Sequence, residues 1–263
     1  MDTVVRVDVV TGYGLNCEEE TAAAWAGAGA TVRVVHAEDL FSGARPLTST
    51  DIIHLSGGFS YGDNLGSGKS FAVRMRHDDR GGRGPLAAEL QAWVADGGQL
   101  VGVCNGFQIL VKAGLLPNLR GDRRLDATLA PNSPGGFVDR WVRCRPAPSP
   151  SPAFDGLDVL DLPMRHGEGR LLFADAQTAQ ACAELVPLRY HSDLIGAPLN
   201  PNGSAGGAAA LTDPSGRVLG LMPHPEAFLD HALHPDRQRA PRTTAAPFFS
   251  NLVNAARALR ARR

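Results

Sequence analysis

Gly102-Val103-Cys104-Asn105-Gly106 sets one thiol between two glycines, where the apolar run Leu100 to Val103 gives way to a second run containing Phe107, Ile109, Leu110, Val111, Leu115 and Leu116. The first run has the length of a buried strand, and the second can supply the apolar face of a helix. Cys104 then falls at a strand-to-helix turn, where small flanking residues let strand and helix pack closely around a strained nucleophile. Backbone N–H groups at the helix N-terminus favour thiolate over thiol. A lone cysteine is more often an inert core residue, but a second constellation argues against that fate. Met222-Pro223-His224-Pro225-Glu226 follows the apolar run Val218 to Leu221. Residues i and i+2 of an extended chain project to the same side, and Pro225 holds His224 out of the helical region. His224 can therefore take the Cys104 proton and return it to a leaving amine, while Glu226 fixes the imidazole tautomer and stabilises the imidazolium.

Bringing residues so far apart together requires a sheet whose strand ends share one edge. Val4 to Val10 reads as a first strand, Glu18 to Ala28 as a helix, Thr31 to Val35 and Asp51 to Ser56 as further strands, and Pro85 to Ala95 as a helix with Pro85 in its first turn. This alternation predicts an α/β fold, a flavodoxin-like doubly wound and mostly parallel sheet. Sites in such sheets lie outside the carboxyl ends of the strands, and Gly57, Cys104 and His224 each follow a strand-like run. After Pro117 shorter β segments, including Gly136 to Cys144 and Ala208 to Leu221 around the Asp213-Pro214-Ser215-Gly216 turn, predict an antiparallel extension of the same domain. Residues 1–263 read as a single domain: Pro146 to Pro152 is too short for an interdomain linker, and the proposed triad draws on both sides of it. His77 to Gly84 reads as a mobile surface loop and Ala246 to Ala261 as a terminal helix.

A chain of 263 residues with 43% hydrophobic content can bury a sizeable core. Its formal charge of −1 leaves no general footprint for nucleic acid, and the basic cluster Arg257, Arg260, Arg262 and Arg263 fits a solvated helix end. Cys17, Cys104, Cys144 and Cys182 show neither metal-ligand spacing nor a small disulfide framework, so a reducing compartment, the cytoplasm, is expected. No stretch has the length of a signal-peptide core or a membrane span. No metal site is predicted, because His36, His54 and His191 have no joint ligand spacing. Gly66-Ser67-Gly68-Lys69-Ser70 imitates a phosphate-binding loop but has Asp63 where its first glycine belongs, and Gly12-Tyr13-Gly14 lacks the third glycine of a dinucleotide fingerprint, with Cys17 in its place.

Cys104, His224 and Glu226 in this order, with Gly57-Gly58 upstream, resemble the class I (triad) glutamine amidotransferases. Within them, Gly57-Gly58-Phe59-Ser60-Tyr61-Gly62-Asp63, Val103-Cys104-Asn105-Gly106-Phe107-Gln108, His166-Gly167-Glu168-Gly169 and Pro223-His224-Pro225-Glu226 resemble the glutaminase subunits of phosphoribosylformylglycinamidine synthases, from about residue 4 to the C-terminal helix. Asn64 to Lys69 looks more like the longer, fused members, and Ala227 stands where arginine is frequent.

The resemblance implies hydrolysis of L-glutamine through a cysteinyl thioester, with ammonia passed to a large synthase subunit and a small accessory subunit as companions. ATP and magnesium are then expected in the synthase, and no cofactor in this chain. It also implies an oxyanion hole from the N–H groups of Gly58 and Asn105, each donor worth a few kcal/mol, with Gly57 beside them. Gln108, one helical turn after Cys104, would offer its amide to bound glutamine, and Arg165, His166, Gly167 and Glu168 would engage the substrate's α-groups, mainly through the main chain. Other readings are a glutaminase of another synthase, a stand-alone γ-glutamyl hydrolase, or a catalytically silent regulatory subunit, which the intact triad disfavours.

Overall fold

β-Branched residues crowd the first strand, β1 (Arg6–Thr11), in which Val7, Asp8, Val9 and Val10 are all buried. Stiff side chains of this kind suit a pleated surface covered on both faces. The computed structural model describes residues 4–133, 135–191, 199–238 and 244–261. After β1 come α1 (Glu18–Gly27), β2 (Thr31–His36), α2 (Ala37–Ser42), β3 (Ile52–Leu55), α3 (Lys69–His77), α4 (Leu86–Ala95), β4 (Gln99–Val103) and α5 (Asn105–Lys112). They are followed by β5 (Ala127–Pro131), β6 (Val138–Pro146), β7 (Leu160–His166), β8 (Glu168–Phe173), α6 (Ala176–Ala181), β9 (Leu188–Tyr190), β10 (Ala210–Thr212), β11 (Val218–Leu221) and α7 (Ala246–Arg260).

The main sheet has the order β2-β1-β3-β4-β11-β10, parallel except for the edge strand β10. Without that edge strand the order is the flavodoxin-like doubly wound one. β3, β4 and β11 are buried along their whole length, α1 packs with α7, and α3 packs against α4 and α5. The predicted doubly wound sheet is therefore present. The antiparallel extension consists of the β5–β8 ribbon and the β7-β6-β9 sheet. It folds over the strand ends: the His224 N–H donates to the Pro163 carbonyl of β7 at 2.8 Å.

Several expectations need correction. The Ala208 to Leu221 hairpin belongs to the main sheet rather than the extension, because β11 pairs in parallel with β4. Leu115 and Leu116 are buried but lie beyond α5, which stops at Lys112 where Gly114 takes φ +75°. Pro85 caps α4 rather than entering its first turn. The segment read as a mobile loop supplies the last residue of α3, His77, and its remainder is tied down. The Arg80 side chain there is almost fully buried, with its guanidinium on Glu89 at 2.6 Å and on the Gly84 carbonyl at 2.7 Å. High polarity had suggested solvation; the charges are spent on internal bonds instead. Arg262 and Arg263 of the basic terminus lie outside the described residues. Among the described residues, no helix is long and apolar enough to cross a membrane.

Candidate active site

Cys104 sits between β4 and α5 with φ 52° and ψ −106°, a conformation that costs a non-glycine residue energy and is concentrated at functional sites. The fold holds it there by donation of the Cys104 N–H to the Leu221 carbonyl at 2.8 Å, which ties the elbow to the neighbouring strand β11. The flanking glycines are required by close approach. A side chain on Gly102 would lie 2.6 Å from the Gly106 carbonyl carbon, and one on Gly106 would run into the Leu55 carbonyl. The thiol points toward the Arg165 carbonyl at 3.8 Å.

His224 and Glu226 follow β11. Their side chains meet through His224 Nδ1 and Glu226 Oε1 at 2.6 Å, and both residues are almost fully buried. Burial works against charge on His224, but Glu226, Cys104 and Cys17 outweigh it and hold the imidazole well above its ordinary value. Burial likewise opposes ionisation of Glu226, and the adjacent imidazolium overrides it, so the carboxyl titrates below the usual range. A charged imidazolium–carboxylate pair beside the Cys104 thiol is the resting arrangement needed for a thiolate nucleophile. His224 Nε2 makes no hydrogen bond of standard geometry, although the two thiols lie close enough to stabilise its charge.

Cys17 is a neighbour to which the sequence pattern assigns no role. It lies at the start of α1 with its N–H on the Gly57 carbonyl at 3.3 Å, and burial raises its thiol while His224 partly offsets that. Cys17, His224 and Glu226 bring potential metal ligands within 4.8 Å of one another, but the short His224–Glu226 bond commits an atom of each to the other.

A cavity of about 310 Å³ opens over Cys104, lined by Asn16, Cys17, Glu20, Gly58, Phe59, Cys104, Phe137, Arg165 and His224. Gly58 bridges Leu15, yet the hydrogen bonds of that bridge run from Asn16 N to the Gly57 carbonyl and from Phe59 N to the Gly14 carbonyl. The Gly58 N–H is thus outside the ladder, and the Asn105 N–H, at the first position of α5, has no intrahelical acceptor. Gly58 lines the cavity together with Cys104, and Asn105 directly follows Cys104 in the chain, which is where donors to an oxyanion would be needed.

The other expected substrate contacts divide. Arg165 reaches the cavity rim, where its guanidinium is 3.9 Å from Glu20. Gln108 does not line the cavity: its amide donates to the Glu168 carbonyl and accepts from Asn105 Nδ2 at 2.8 Å. His166 is buried and does not line the cavity, and burial lowers it to about 4. The Gly167 carbonyl accepts from Asn132 N at 2.9 Å, and Glu168 Oε2 accepts from Ser67 N at 3.1 Å. These residues shape the wall behind the thiol. Glu20, Phe59 and Phe137 were missed. Glu20 lies in the first turn of α1, where acidic residues are ordinary and give no sign of a site, and Phe137, just before β6, carries no signal that the chain there folds over the cavity.

A flavodoxin-like sheet presenting a buried Cys-His-Glu line at its strand ends defines a class I glutamine amidotransferase. Residues 4–255 match the family of CobB/CobQ-like glutamine amidotransferase domains. The subunit PurQ of phosphoribosylformylglycinamidine synthase from Methanococcus maripaludis is 36% identical over 244 residues, covering 89% of this chain and 86% of that protein. PurQ of Thermus thermophilus is 35% identical over 254 residues, covering 95% and 98%. The solved PurLQS of Thermotoga maritima contains a chain that superposes with a TM-score of 0.70 at 29% identity, covering 95% of this chain and 98% of that one. This chain belongs to the PurQ family.

Proposed function

We propose that this chain is the glutaminase of a phosphoribosylformylglycinamidine synthase, working in the cytoplasm for purine biosynthesis. The Cys104 thiolate attacks the side-chain amide carbon of glutamine, and the oxyanion is met by the N–H groups of Gly58 and Asn105. Collapse expels ammonia as the His224 imidazolium gives up its proton. Water, deprotonated by the now neutral His224, then hydrolyses the γ-glutamyl thioester to glutamate. Glu226 holds the imidazole in place throughout. At the rim, Arg165 and Glu20 offer one charge of each sign, matched to the α-carboxylate and α-ammonium of an amino-acid substrate.

The ammonia passes to a large synthase subunit, which binds ATP and magnesium and aminates formylglycinamide ribonucleotide, with a small accessory subunit completing the assembly. The observation that carries this reading is the buried His224–Glu226 pair interacting with Cys104 at the floor of a cavity that Gly58 also lines. In the reconstituted complex, Cys104→Ala removes glutamine-dependent synthesis and leaves synthesis from added ammonium salt close to wild type. Equal loss of both activities in a correctly assembled complex refutes the division of labour.

A further inference from the structure

Behind the Cys104–His224–Glu226 line lies a fourth titratable side chain that the chemistry above does not use. His54 is the third residue of β3 and is fully buried, with α1 packed on its side through Trp25. The Trp25 indole N–H, itself fully buried, donates to His54 Nδ1 at 3.1 Å. An indole can only donate, so Nδ1 must be the unprotonated nitrogen and the proton sits on Nε2. That N–H has no other partner within hydrogen-bonding distance. Glu226 Oε2, the carboxylate oxygen that His224 does not use, is likewise buried and unpartnered. α1 reaches His54 through Trp25 and packs against the turn that carries Glu226, and the two side chains interact electrostatically. Burial holds His54 down to about 4, so at neutral pH it acts as a neutral donor and not as a second cation.

We infer that His54, locked by Trp25 into its Nε2–H tautomer, is a positioning residue that orients Glu226 from behind and so fixes the face His224 presents to Cys104. This rests on the glutaminase reading. A buried donor and a buried carboxylate oxygen that lack other partners are each explained by pairing with the other, and such a pairing restrains rotation of the carboxylate, in the way that carboxylates behind metal-bound histidines fix the ligand ring. The leucine-like packing of β3 does not require a histidine there; a donor and an acceptor on one side chain do.

The test compares two substitutions in the assembled complex. Gln can accept from Trp25 with its carbonyl and donate toward Glu226 with its amide, whereas Leu can do neither. His54→Leu is expected to lower glutaminase kcat about 10- to 100-fold, the loss expected for one hydrogen bond to a charged group, with KM within about 2-fold. His54→Gln is expected to keep kcat within about 3-fold of wild type on the same scale. Wild-type kcat in a folded His54→Leu protein, or equal impairment of folded Gln and Leu variants, overturns the inference. Nitrogen NMR of the protein without substitution at His54 supplies a measurement independent of variant folding. The His54 ring should carry its proton on Nε2, and Glu226→Gln should shift that resonance; a proton on Nδ1, or no response to Glu226→Gln, also overturns it. Failure of the glutaminase reading would be recognised separately, by absence of glutamate release from the wild-type complex.

Discussion

Gly57→Ala tests the placement of the reacting groups with one methyl. A Cβ on Gly57 would lie 3.0 Å from His224 Cε1, 3.1 Å from Cys17 Sγ and 3.6 Å from Cys104 Cβ. It would enter at the centre of the site, between imidazole and thiols. Gly57 is not among the positive-φ residues, so the backbone itself tolerates alanine. The strain falls on the neighbours, which must yield by a few tenths of an ångström. Overpacking of this kind costs about 1–3 kcal/mol of stability, which a domain of this size survives. Its effect on rate is larger in proportion, since a misplacement of about 1 Å can cost about 100-fold. A shift of a few tenths should therefore lower kcat by about 10-fold, with a smaller change in KM. Glutamate release by the assembled complex gives both constants, and ammonia-dependent synthesis is the control for assembly. A folded Gly57→Ala complex with wild-type kcat would show that His224 and Cys104 are not held against one another as described.

Glu20→Gln should raise the KM for glutamine several-fold and leave kcat nearly unchanged, because Glu20 reaches the cavity rim and none of the reacting atoms; a fall in kcat at constant KM would remove it from substrate recognition. The buried histidines make a separate prediction about acid stability. Burial depresses His54 and His166 from 6.5 to about 4, so between these values the unfolded chain binds protons that the folded chain does not. Their stabilisation is complete above 6.5 and is lost as pH falls toward 4. At pH 5 the loss is about 2 kcal/mol for each histidine. Urea unfolding at pH 7 and pH 5 should show this decline, and His166→Gln should flatten it; an unchanged slope in that variant would contradict the assignment.

Much of the site was legible because the features that place it are local. The Gly-x-Cys-x-Gly spacing encodes the close approach of β4 to α5, and Pro225 together with the i, i+2 spacing encodes the convergence of His224 and Glu226. The parallel order followed from apolar runs alternating with helical segments. What was not legible depends on contacts across long sequence separations. Gln108 was expected in the pocket from its helical position, but strand β8 supplies the Glu168 carbonyl that captures its amide. His54 was set aside for lack of metal-ligand spacing, and its importance rests on Trp25, which is 29 residues away and gives no periodic signal. Arg80 was read as a loop charge because nothing local indicates that Glu89 will bury it.

Asn105 joins the chemistry to the surface. Its main-chain N–H, at the first position of α5, has no intrahelical acceptor, while its side chain accepts from Ser60 N at 3.0 Å and donates to Asp63 at 3.1 Å. Asp63 in turn accepts from Gly68 N at 3.2 Å, and Lys112 and Glu168 hold Ser67 from either side. The segment between these anchors presents Leu65, one of the most exposed large apolar side chains among the described residues, at 70%. Asn105, the proposed oxyanion donor, and an exposed apolar loop therefore belong to one hydrogen-bonded unit rather than to separate layers. A displacement of this loop would be felt at Asn105 through those hydrogen bonds, and because donor geometry enters a rate exponentially, glutamate release by the chain alone and with an added synthase subunit measures whether the loop carries such a coupling; equal rates would refute it.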